Sequence, residues 1–223
     1  MIKLYGISTS RAGRCVWALE EIGLEYEQVD LHFNDGSTRT PEYRAINPNE
    51  RIPTLVDDGL VLYESMVINH YLADRYDGGL RPEGDDDRAR ALMWSFWGTN
   101  EIENLMRPLL RHRLFLSEED RDAATADLAE EQLAKPLGVL DQALATCGYL
   151  VDDRLRVADV NVSHALFWLP MAGVDLRPWP RVEDWLARLA ERPGLRKVWG
   201  GTRPEMNSAD RRPRGEVDPR RGF

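Results

Sequence analysis

With 223 residues, 25.5 kDa and 43% hydrophobic residues, the chain falls between one large domain and two small ones, with ample apolar matter for a core. Lys+Arg 29 against Asp+Glu 38 gives a net charge of −9 and a pI near 5.1. That balance excludes a nucleic acid as the main partner, which needs a basic face to displace counterions, and argues equally against an anionic membrane surface.

The opening MIKLYGISTSRAGRC has no cationic segment followed by an apolar stretch of roughly 7–15 residues, so it does not read as a secretory signal. No window approaches the about 18 apolar residues that a membrane span requires. Two cysteines, Cys15 and Cys147, without CxxC spacing leave no basis for a disulfide framework or a structural zinc site. Asn161-Val162-Ser163 matches the glycosylation triplet by chance. The expectation is a soluble, cytoplasmic, reduced protein without a metal.

Ile2-Lys3-Leu4-Tyr5 reads as a short strand ended by Gly6. Ala12, Cys15, Val16, Leu19 and Ile22 then recur at three- and four-residue steps, one face of a helix that Gly23 terminates. Tyr26 to Leu31 alternates as a second strand, making a βαβ unit with parallel strands and a right-handed crossover. Asn34 to Pro41 is dense in turn formers and is expected to lack regular structure. Ile52 to Asp57 is a strand with proline near its start, Asp58-Gly59 a hairpin turn, and Leu60 to Tyr63 the returning strand. After Glu64-Ser65 a helix carries Met66, Ile68, Tyr71 and Leu72.

The Gly/Pro-rich run from Asp77 to Gly84 is the boundary, and strands vanish beyond it. The reading is an α+β or α/β fold: residues 1–78 as a thioredoxin-like βαβ-ββα domain, 79–87 as linker, 88–200 as an all-helical domain and 201–223 as a charged, mobile tail. Ser117-Glu118-Glu119-Asp120 resembles a capping box, Pro180 suits a first helical turn, and Pro108 and Pro136 should kink or break their helices.

Three features carry chemistry. Ser8, Thr9 and Ser10 lie where the first helix presents unpaired N–H groups; one of them caps it, and the same hydroxyl would also bond an anion such as a thiolate. Ile52-Pro53 opens a strand, and a cis bond there would turn the Ile52 backbone outward to pair with a peptide-like ligand. Glu64 and Ser65, at a strand-to-helix junction, suit the ammonium and carboxylate of an α-amino acid, or equally a simple cap beside a helix dipole. Cys15 lies on the apolar side of the first helix and reads as a core thiol rather than a redox nucleophile. Trp94, Trp97, Met106 and Trp168 would either floor a pocket between the domains or simply fill the core. His112, between two arginines, reads as a solvated residue.

The frame LYGISTSRAGRCVWALEEIGLEYEQVDL followed by NPNERIPTLVDDGLVLYESMVINHYLADRY closely resembles the glutathione S-transferase family, and RVADVNVSHALFW is similar to the family's late capping-box helix. Within the family the chain looks like bacterial members with a serine-type active site. The resemblance implies glutathione as co-substrate with no further cofactor, a small hydrophobic electrophile and a homodimer. It matches Ser10 to the hydroxyl that bonds the glutathione sulfur, with Arg14 as its basic partner and Ser8 and Thr9 as alternatives one or two residues away. It matches Ile52 and Pro53 to the cysteinyl-binding segment and Glu64 and Ser65 to the γ-glutamyl pair; Arg51 stands where the family often has Gln or Lys and Arg39 in the loop that reaches the glycyl carboxylate, each with a solvated surface charge as the alternative. Glu50 stands where the family usually has glycine. Arg156 replaces the Ser/Thr cap ahead of Asp159, which should weaken that helix start by around 1 kcal/mol. A binding protein of this fold without transferase activity and a glutathione-dependent disulfide reductase or isomerase remain the alternatives.

Overall fold

The structure is a computed structural model that describes residues 1–200; the tail expected over 201–223 lies outside the described residues. In β1 (Ile2–Tyr5) the side chains of Ile2 and Leu4 are buried and those of Lys3 and Tyr5 less so, the period-2 pattern of a strand covered mainly on one face. α1 (Ala12–Ile22) buries Cys15, Val16, Trp17 and Leu19, and Gly23 closes it at φ 78° with its N–H on Leu19 and Glu20 carbonyls. β2 (Tyr26–Val29) returns parallel to β1 with Ile2 opposite Tyr26, two residues shorter than the alternation predicts.

The turn-rich stretch is not wholly irregular, which corrects the expectation. A 3-10 turn spans Ser37–Arg39, and α2 (Pro41–Ile46) follows it. Thr40 Oγ1 accepts from Tyr43 N at 3.2 Å and Pro41 occupies the first helical position, so residues that read as loop formers are a cap and a helix start. β3 (Thr54–Asp57) and β4 (Leu60–Tyr63) form the antiparallel hairpin, with Asp58 and Gly59 both at positive φ as a type I′ turn demands. β3 also pairs antiparallel with β1, giving the mixed sheet β2-β1-β3-β4. α3 (Ser65–Tyr76) completes the thioredoxin-like unit.

All remaining regular structure among the described residues is helical. α4 (Gly84–Trp97) begins inside the stretch expected as linker, with Asp85, Asp86 and Asp87 at its positive dipole end. A π-helical turn (Gly98–Glu103), α5 (Asn104–Leu110) and a second π-helical turn (Arg111–Phe115) continue it. Pro108 therefore sits between two locally widened turns and does not end the helix. α6 (Ala123–Cys147) likewise continues past Pro136, because its stripe of Leu133, Leu137, Leu140 and Leu144 is buried on both sides of the proline. It starts at the cap Asp122, whose carboxylate accepts from Ala124 N and Thr125 N. Ser117 instead opens a 3-10 turn (Glu118–Asp120), so the expected capping box does not start a helix. α7 (Val157–Leu166), α8 (Trp168–Met171), α9 (Pro180–Ala190) and α10 (Pro193–Val198) follow, with Pro180 at a first position as its sequence context predicts.

α1 joins the two halves. It packs on α3 within the first and on α7 and α10 of the second, with Trp17 fully buried and set edge-on to Phe167 at 6.5 Å. In the first turn of α7, Asp159 keeps its half of the cap, accepting from Arg156 N at 2.9 Å, Leu150 N at 3.0 Å and Trp185 Nε1 at 3.2 Å. The expected weakness at Arg156 is offset in a way local sequence does not reveal. The buried guanidinium donates to the Arg81 and Gly79 carbonyls at 2.7 and 3.1 Å and to Asp152 at 2.7 Å, fastening the interdomain connection to the start of α7. Arg156→Ser restores a hydroxyl cap worth about 1 kcal/mol but releases several charge-assisted bonds, so a net loss of roughly 1–3 kcal/mol is expected in urea unfolding. An unchanged or higher midpoint would contradict the fastening role.

Candidate active site

Three loops meet at the ends of β1 and β3. The first leaves β1 through Gly6, at φ 131°; a Cβ there would lie 2.9 Å from Ala12 Cβ and 3.0 Å from Ile52 Cβ, so glycine is what lets this loop lie against the segment of Ile52. Beyond it, Ser10 Oγ accepts from Ala12 N at 3.1 Å and donates to the Ile7 carbonyl at 2.7 Å. Of the three hydroxyls, Ser10 is thus the one at the open end of α1. Ser8 Oγ accepts from Gln28 Nε2 at 3.3 Å, and Thr9 is exposed.

In the second loop the Ile52-Pro53 bond is cis. The preceding Arg51 carbonyl is held by Tyr43 Oη at 2.7 Å and Asn47 Nδ2 at 2.8 Å. Glu50 adopts φ 55°, the left-handed region in which glycine is at ease, which accounts for the glycine usual there in the resembled family. Its carboxylate pairs with Arg44 at 2.6 Å and lies 3.9 Å from Arg39, while the Arg51 side chain is exposed.

The third loop brings Glu64, exposed and at φ 73°, and Ser65, buried at the first position of α3. A non-glycine residue held at positive φ at a helix entry is the sort of local strain found at binding sites. Ser65 Oγ accepts from Arg14 Nη1 at 3.3 Å.

Behind these loops lies a charged cluster whose acid, Glu103, sequence reasoning missed; Arg14, expected as the basic partner of Ser10, is hydrogen-bonded instead to Glu103 and Ser65. Glu103, from the helical half, accepts Arg11 Nε at 2.7 Å and Arg14 Nη2 at 2.5 Å. Burial alone would raise its carboxyl, but the Arg14 and Arg11 guanidiniums outweigh burial and hold it at about 2. His164 faces the same group; burial first and the arginines next push its imidazole down to about 3, so it is neutral. Nearby, Asn69 donates to Asn161 Oδ1 at 2.8 Å, Asn161 donates to Ser95 Oγ at 3.0 Å, and His70 Nε2 lies 2.9 Å from the same hydroxyl. The available signal was polar residues at apolar-face positions, as with Asn69 beside Ile68 and Asn161 between Val160 and Val162.

A folded-state carboxyl at about 2, against roughly 4.3 unfolded, stabilises the protein above pH 4–5, and that stability is lost as pH falls through the folded value. Glu103 therefore contributes about 3 kcal/mol of acid sensitivity. Denaturant titrations from pH 6 to pH 3 should show a smaller fall in unfolding free energy for Glu103→Gln than for the unaltered chain; equal falls would contradict this.

Of the other sequence candidates, Cys15 touches the third loop, its buried Sγ–H donating to the Ser65 carbonyl at 3.5 Å. Cys15 is fully buried, and desolvation pushes its thiol up to about 12 despite Arg14 nearby, so it is not a nucleophile. Met106 is buried core, Trp94 and Trp97 stack edge-on at 5.1 Å, and Trp168 is half-buried between Phe115 and Trp199.

Residues 1–74 match the family model for the glutathione S-transferase N-terminal domain and residues 101–193 that for the C-terminal domain. The chain belongs to the glutathione S-transferase family. Among relatives, Glutathione S-transferase 1 of Zea mays is 35% identical over 204 residues, spanning 88% of this chain and 95% of that protein. Glutathione S-transferase GstB of Escherichia coli K12 is 31% identical, spanning 89% and 97%. The theta class glutathione S-transferase from Xanthomonas axonopodis pv. citri, solved with glutathione bound, superposes with a TM-score of 0.84 at 31% identity, covering 92% of this chain and 99% of that one. The thioredoxin-like domain followed by helices is the glutathione S-transferase fold, and no helix among the described residues is long and apolar enough to cross a membrane.

Proposed function

We propose that this family member is a serine-type glutathione transferase that binds glutathione across the three loops and joins it to a small apolar electrophile, the thiolate forming a C–S bond at the electrophilic carbon as that carbon's leaving group departs. The observation that carries the reading is Ser10 Oγ at the N-terminus of α1, in a loop that packs through Gly6 against Ile52, with Ser65 held by Arg14 of the same helix. An amino-acid-derived thiol with a pKa near 8.5 is only a few per cent ionised at pH 7, and lowering it by about two units takes roughly 2.7 kcal/mol of preferential thiolate binding. A hydroxyl donor and a helix N-terminus together supply that order of energy. To donate to the sulfur, Ser10 rotates its hydroxyl from the Ile7 carbonyl, giving up one hydrogen bond worth about 1 kcal/mol.

In this reading the Ile52 backbone, set by the cis-Pro53 bond, pairs with the cysteinyl unit as an added strand. Glu64 takes the γ-glutamyl ammonium, Ser65 its carboxylate, and Arg51 and Arg39 lie toward the glycyl carboxylate, Arg39 after leaving Glu50. Residues 1–78 act as the glutathione domain, and the electrophile lies against the helical residues 88–200. Proximity of the two bound reactants supplies much of the acceleration. The burial of Cys15 speaks against disulfide exchange through a protein thiol at the three loops.

The reading extends to a homodimer in a reducing cytoplasm. Exposed apolar side chains include Leu60 and Tyr63 of β4, Val67 of α3, and Leu92, Met93 and Phe96 of α4, with Phe96 65% exposed. Neither Cys15 nor Cys147 is in a disulfide. Calorimetric titration of the full chain with glutathione tests the core of the reading. One binding event per chain, with turnover of a haloaromatic electrophile, supports it; absence of heat and of turnover refutes it.

A further inference from the structure

Glu103 divides its carboxylate between two arginines at the start of the first helix, Arg11 just before it and Arg14 within it. Oε2 takes Arg11, the residue after Ser10, and Oε1 takes Arg14, whose other terminal nitrogen reaches Ser65 Oγ. One acid of the helical half therefore spans the entry of α1 and the entry of α3. Arg14 is 2% exposed, and its Nε has no hydrogen-bond partner among the described residues. Its side-chain bonds there are those to Glu103 and Ser65, so they set its orientation. Ser65 accepts from this guanidinium and keeps its own O–H to donate, the polarity that an incoming carboxylate requires.

We propose that Glu103 is a positioning residue for conjugation: through Arg11 and Arg14 it fixes the separation and orientation of Ser10 and Ser65. The inference rests on the glutathione reading above, with Ser10 at the sulfur and Ser65 at the γ-glutamyl carboxylate. The charged or titratable groups facing Glu103 are Arg11, Arg14 and His164.

The test compares Glu103→Gln and Glu103→Asp in the full chain, reading glutathione Kd by calorimetry and the pKa of the bound thiol by its ultraviolet thiolate absorbance. Glutamine presents an N–H2 to one arginine and so releases it; aspartate keeps the charge but is one methylene too short to span both. Glu103→Gln is expected to weaken glutathione about 10-fold and raise the bound thiol by about one pKa unit, with Glu103→Asp moving both readings in the same direction by less. Charge alone acts oppositely, since deleting a nearby anion lowers a thiol pKa. A lowered thiol pKa in Glu103→Gln overturns the proposal, as do unaltered Kd and thiol pKa in both variants. Should Glu103→Gln fail to fold, unaltered values in Glu103→Asp overturn it by themselves. Failure of the glutathione reading is separately visible, as an unaltered chain that binds no glutathione.

Discussion

Ser10→Ala is expected to cut conjugation of a haloaromatic electrophile by roughly 25-fold at pH 7 and toward 100-fold at lower pH, with glutathione affinity kept within severalfold. These figures follow from the thiolate fraction when a thiol near 6.5 reverts to about 8.5. The acid limb of the pH–rate profile should move upward by about two units, while turnover at pH 9 and above converges on that of the unaltered chain. Affinity is expected to survive because the γ-glutamyl, cysteinyl-backbone and glycyl contacts proposed above do not involve Ser10. The same substitution removes the acceptor for Ala12 N, so a stability loss of about 1 kcal/mol accompanies the rate loss. Ser10→Thr keeps a hydroxyl and separates the two effects. Unchanged turnover in Ser10→Ala would transfer the sulfur contact to Ser8, Thr9 or a backbone N–H.

Asp159→Ala is expected to have the largest effect on stability, a loss of about 3–5 kcal/mol, because three buried N–H donors lose their acceptor together. Complete burial pushes this carboxyl up to about 7, against the pull of the Arg156 and Leu150 backbone N–H groups and the Trp185 indole. All three donors need an acceptor oxygen whether or not the group is charged. For a protein of this size, such a loss lowers Tm by roughly 10 °C or more. Asp159→Asn retains one acceptor oxygen for the Leu150 and Trp185 donors and should lose less than half as much. A melting temperature for Asp159→Ala within 2–3 °C of the unaltered chain would show that α7 starts without this acid.

Local patterns made much of the first half legible. β1, α1 and the hairpin follow from apolar periodicities of 2 and 3.6 and from Gly23 and Asp58-Gly59 at positive φ, all properties of neighbouring residues. α2 escaped because Thr40 and Pro41 are as common in loops as at helix starts, and only the bond from Tyr43 N distinguishes them. The prolines of α5 and α6 do not break their helices for a related reason: an intrinsic penalty of about 3 kcal/mol is visible locally, whereas the buried leucines that outweigh it are not.

The candidate loops were legible too, since Ser8 to Ser10, Ile52-Pro53 and Glu64-Ser65 are short contiguous motifs, and the two family matches agree with the architecture they imply. The chain's order of residues was enough to establish the class of fold and the three segments that approach one another. Which hydroxyl stands at the mouth of α1, and that Glu103 crosses 92 positions to meet Arg11, only the packed molecule decided. Side chains so distant in the chain pair according to how the helical half docks on α1, and no periodicity encodes that docking. Arg156 makes the same point: locally it is a missing cap, and only the folded connection beside it turns the guanidinium into an anchor.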